Sequence, residues 1–155
     1  MIEREWIRNI AQADHNGQNW VFANPEDIAS YCEKKKTNIV VDLKAEAEAV
    51  IQAYNLFSNR GIPLKLLDSP KGLAFLHGPC QLSMVLTPED HIQTQLLVKH
   101  AFQVQKFDLH AYLPYFDPFG EMYWTSEGQQ NLTYANIVKQ ALTELAEAYS
   151  RFRQR

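Results

Sequence analysis

Asn38-Ile39-Val40-Val41-Asp42-Leu43 is the stretch on which the reading of this fold turns. The run is short, apolar and rich in β-branched side chains, so it reads as a buried strand. Residues 44–59 then change to helical period, with Ala47, Val50, Ile51, Tyr54 and Phe57 along one stripe. Gly61 and Pro63 close that helix, and residues 63–67 read as a second strand. Strand, helix and strand in this order form a βαβ unit, whose two strands run parallel with a right-handed crossover.

Working outward, Asp68-Ser69-Pro70-Lys71-Gly72 is a turn, and residues 73–77 pair with residues 80–86 around Gly78-Pro79 as a hairpin. Two helix starts share one spelling: Asn24-Pro25-Glu26-Asp27 and Thr87-Pro88-Glu89-Asp90 each offer a capping side chain, a proline at the first helical position and acids in the first turn. The first opens a helix to about Lys35, and the second a longer one to about Val104. Residues 3–13 form a further helix with Trp6, Ile7 and Ile10 on one side, and residues 106–112 add a fifth strand. Ala135, Val138, Leu142, Leu145, Tyr149 and Phe152 step at heptad spacing through a last helix. That seam falls short of the roughly three heptads of a coiled coil. It predicts docking on the protein's own core, with a homodimer through this helix as the other use. The expected architecture is an α/β domain, with α+β as the neighbouring class. A mixed sheet of about four or five strands holds one parallel βαβ unit and one antiparallel hairpin, flanked by about five helices, in one globular domain over residues 1–155.

Composition bounds the partners. The chain has 155 residues, 46% of them hydrophobic and 21% charged, which is ordinary for a folded protein. A formal net charge of −3 gives no global attraction to nucleic acid or to an anionic membrane. Lys34, Lys35 and Lys36 read as complements to a helix C-terminus. No apolar stretch reaches the ~20 residues of a membrane span, and the first residues do not read as a signal peptide. Cys32 and Cys80, the only two cysteines, fit a reducing compartment, so the cytoplasm is the expected location.

No complete catalytic set is present, and no cofactor or metal is expected. The end of the strand read at 38–43 runs into Lys44-Ala45-Glu46 without a phosphate-cradling glycine. His77 and Cys80 lack the second ligand pair of a zinc site, and a hairpin thiol lacks the positive charge that would activate it. His91, His100 and His110 show no ligand spacing. Val41-Asp42-Leu43-Lys44 resembles the acid-and-lysine half of a PD-(D/E)xK nuclease site. The resemblance implies a divalent-metal hydrolase in which Asp42 holds the ion and Lys44 stabilises charge on phosphate. That family also needs an acid on a preceding strand, and here the preceding acids fall on a predicted helix.

The remaining signal is aromatic. Of three Trp, seven Tyr and eight Phe, the window from Phe107 to Trp124 holds Phe107, Tyr112, Tyr115, Phe116, Phe119, Tyr123 and Trp124. Between Lys106 and Lys139 there is no Lys or Arg, while Asp108, Asp117, Glu121 and Glu127 are present. Rings beside uncompensated acids suit a protein partner with a basic rim, and not a phosphate backbone. Pro114, Pro118 and Gly120 predict an irregular loop here. The expected function is thus a small non-catalytic interaction module (accessory, adaptor or inhibitor). Its expected contact residues are Tyr112, Tyr115, Phe116, Asp117, Phe119, Glu121, Tyr123 and Trp124, with the nuclease-like hydrolase using Asp42 and Lys44 as the alternative.

Overall fold

The computed structural model describes residues 25–58, 63–118 and 120–153, with side chains from residue 30 to residue 151. The expected helix over residues 3–13, Asn24, Gly61, Phe119 and the Phe152 side chain lie outside the described residues. Helices α1 (Pro25–Thr37) and α2 (Ile39–Phe57) precede seven strands: β1 (Lys65–Ser69), β2 (Gly72–His77), β3 (Cys80–Leu86), β4 (Ile92–His100), β5 (Gln103–Phe116), β6 (Met122–Ser126) and β7 (Gln129–Leu132). Helix α3 (Tyr134–Arg153) follows. The strands form one sheet in sequence order, and every neighbouring pair is antiparallel.

This overturns the mixed α/β sheet with a parallel βαβ unit and about five helices. The described residues hold three helices, and no strand pair is parallel. The deciding stretch is helical. Ile39, Leu43, Ala47 and Ile51 are buried at a spacing of four, while Val41 is 63% exposed. A strand would have put Ile39, Val41 and Leu43 on one face. The gain from one continuous helical stripe against the core outweighs the β preference of the valines. Asn55 then ties the end of α2 to the chain ahead of β1, accepting from the Leu64 N–H at 3.1 Å and donating to its carbonyl at 3.0 Å.

The second correction is Thr87-Pro88-Glu89-Asp90, a hairpin loop in place of a helix start. Thr87 N–H donates to the His91 carbonyl (2.8 Å), Asp90 N–H donates to the Thr87 carbonyl (2.9 Å), and Asp90 takes φ +64°. This is the three-residue hairpin in which a turn is followed by one left-handed residue. Beyond it Ile92, Thr94 and Val98 are buried at even spacing, the period of a strand.

The hairpin around Gly78-Pro79 and the C-terminal helix occur as expected. Thr133 and Asn136 cap α3 reciprocally: the Asn136 carboxamide oxygen accepts from Thr133 N–H at 2.9 Å, and the Thr133 hydroxyl accepts from Asn136 N–H at 3.3 Å. Its buried stripe is Ile137, Val138, Ala141 and Leu145, packed into the same core as α2; Ala135 of the expected seam is exposed. Strand register places Leu73, Phe75, Leu82, Met84 and Ile92 on the face that α2 and α3 cover, and Leu67, Val85, Gln95 and Lys106 on the other.

Candidate functional site at the β5–β6 end of the sheet

The aromatic window is mostly strand, because Pro114 to Phe116 continue β5. Pro114 is tolerated because the β4 pairing ends at Ile92 and Tyr112, leaving one strand neighbour beyond that point. Strand alternation then sorts the rings. Tyr112 and Trp124 point into the core and are each 1% exposed, so they are not on the surface of the folded protein. Phe116 lies opposite Met122 on that same face and is half-buried.

Tyr115 and Tyr123 are directly opposite each other on the other face, with ring centroids 6.0 Å apart. Leu113, 42% exposed, and Thr125 share that face. The Tyr115 hydroxyl is bonded to the Asn131 side chain and accepts from Asn131 N–H at 3.0 Å, which ties β5 to β7. Asp117 closes the β5–β6 turn: its carboxylate accepts from Glu121 N–H (2.9 Å), its carbonyl accepts from Gly120 N–H (3.1 Å), and Gly120 takes φ +82°. The two acids of the expected set thus sit at the turn beside the two tyrosines.

A second constellation lies on the core side of β5. Both ring nitrogens of His110 carry a carboxylate partner: Glu127 from the β6–β7 turn meets Nδ1 at 3.0 Å, and Glu144 from α3 meets Nε2. Gln140, one helical turn before Glu144, receives the Tyr112 hydroxyl proton on its oxygen and places its amide nitrogen 3.3 Å from Nε2. Thr94 accepts from His110 N–H at 3.0 Å where the β4–β5 ladder shifts register. Burial of the ring opposes its charged form, but the hydrogen bonds and charge of Glu144 and Glu127 outweigh it and hold the pKa above the ordinary histidine value. Burial, and then the same two carboxylates, push the Tyr112 hydroxyl upward.

Two carboxylates on opposite edges of one ring do not converge on a common point. The cluster is a histidine–carboxylate clamp between sheet and helix. Among the described residues no group of three His, Cys, Asp or Glu side chains is placed to hold a metal ion. Sequence reasoning missed this clamp. Its only trace is a pair of i,i+2 polar residues on β5 (His110 and Tyr112) with an i,i+4 pair on α3 (Gln140 and Glu144).

The other candidates are dispersed. Asp42 and Lys44 lie within α2, not at a strand end; Lys44 is ion-paired with Asp68 and donates to the Ser69 carbonyl at 2.9 Å. The strand that the nuclease resemblance required is absent from this stretch. His77 is buried between α2 and α3, with its ring 6.1 Å from Tyr54 and 4.2 Å from Tyr149. Burial lowers its pKa and raises that of the Cys80 thiol, as befits core groups. Cys32 and Cys80 are both free. No family model matches the chain, and neither a curated protein nor a solved structure is significantly similar to it.

Proposed function

We propose that this chain is a non-catalytic interaction module, an accessory, adaptor or inhibitor protein. It binds a protein partner through the outer face of its β5–β6 hairpin. Tyr115 and Tyr123 form the centre, Leu113 extends it, and Asp117 and Glu121 supply the negative rim. The observation that supports this most is the paired tyrosines on the face away from α2 and α3, fixed by strand register and by Asn131. Rings held in place before binding lose little conformational freedom on contact, and tyrosine is among the residues that dominate interface energies. The acids select a partner with Arg or Lys around its contact patch. Two free cysteines accord with a cytoplasmic setting; among the described residues no helix is long and apolar enough to cross a membrane.

A photo-reactive residue replacing Leu113 tests the surface. It should crosslink one protein with a basic contact patch in a native lysate, while the same residue replacing Lys139, exposed on α3, should not. Equal labelling from both positions, or none from Leu113, contradicts the proposal.

A further inference from the structure

Strand β5 is fourteen residues long, but its two halves have different neighbours. Gln103 to Tyr112 pair with β4, and only Leu113 to Phe116 pair with β6. The β6–β7 turn reaches back as far as His110, where Glu127 meets the ring. From Gln103 to Leu109, therefore, β5 has a strand on one side only among the described residues. Residues 103–108 are all exposed, Val104 by 54% and Phe107 by 47%, with Phe102 fully exposed in the adjoining turn. Alternate residues of such an edge direct N–H and C=O groups outward, where another strand can pair with them.

The side chains say which strand fits. Residues opposite one another in an antiparallel pair share a face, so a two-fold axis relating two copies of one edge must pass through a residue. Centred on Lys106, the pairing would set lysine against lysine. Centred on Gln105, it would set Lys106 against Val104. Centred on Phe107, it sets Lys106 against Asp108 of the second copy and Asp108 against that copy's Lys106, with Phe107 against its own counterpart. Lysine on an edge ordinarily keeps strands apart. Here an acid two residues away on the same face gives it a partner, and Gln95 holds that acid with a 3.0 Å hydrogen bond to Oδ1. We propose that the β5 edge is a homodimer interface, in which residues 105–109 of two copies pair antiparallel about Phe107 and join their sheets. The surface is separate from the Tyr115–Tyr123 patch.

Sedimentation equilibrium of the full chain over a wide concentration range tests it. The wild-type protein should be a closed dimer. Lys106→Asp or Asp108→Lys should each weaken dimerisation by about tenfold or more, since each replaces two attractive cross-strand pairs with two repulsive ones. The double reversal Lys106→Asp with Asp108→Lys should restore it, because opposite charges again face each other. Circular dichroism should show all variants folded, as both side chains are exposed. A monomer at every concentration, open-ended oligomers, a dimer indifferent to both single changes, or a double variant no tighter than the singles would each overturn the proposal.

Discussion

Trp124 and Tyr123 are neighbours in the chain with opposite fates, and alternation along β6 is the cause. Trp124→Ala empties a core position and should cost about 3–5 kcal/mol, lowering Tm by roughly 10 °C. Gly72→Ala should also be costly, because an added Cβ would overlap the Met84 carbonyl oxygen of β3; about 1–3 kcal/mol or more is expected by chemical denaturation. The two histidines of the core face predict opposite pH limbs. His110 has a raised folded pKa, so its contribution is complete below about pH 6.5 and is lost as pH rises through the folded value. His77 has a lowered one, so its contribution is complete above about pH 6.5 and is lost as pH falls toward the folded value. Denaturation midpoints against pH should lose the alkaline limb in His110→Gln and the acid limb in His77→Phe.

At the level of elements, local spelling was legible where only one structure could use it. Gly78-Pro79, with Gly78 at φ +59°, permits little but a tight hairpin, and the apolar heptads of α3 permit little but a docked helix. The errors fell where one spelling serves two structures. Thr-Pro-Glu-Asp can cap a helix or close a three-residue hairpin, and only the period of residues 92–98 separates them. The same loop recurs at Asp117-Pro118 with Gly120 as its left-handed residue. Asn38 to Leu43 failed for the same reason: Ile39 and Leu43 are inward in either structure, so Val41 alone discriminates. Val41→Lys should therefore change stability by no more than about 0.5 kcal/mol, whereas Leu43→Ala should cost about 2–5 kcal/mol. Equal, large losses in thermal melts of both would restore the strand.

For the whole molecule, an antiparallel meander packs one face against α2 and α3 and turns Leu113, Tyr115, Tyr123 and Thr125 to the opposite face. The acid-rich aromatic window was visible in the sequence, but its division was not, since that depends on the register of β5 against β6. The two tyrosines on the face away from α2 and α3 carry the functional account, and Tyr112 and Trp124 behind them belong to the core. The His110 clamp was illegible for a related reason: it exists only once α3 lies across β5. The most direct test is a single double variant, Tyr115→Ala with Tyr123→Ala, examined for melting temperature and for capture of the crosslinked partner. Tm should fall by only about 2–4 °C, equivalent to about 1 kcal/mol, while capture is lost. Capture at the wild-type level by the folded variant, or loss of the fold itself, would contradict the account.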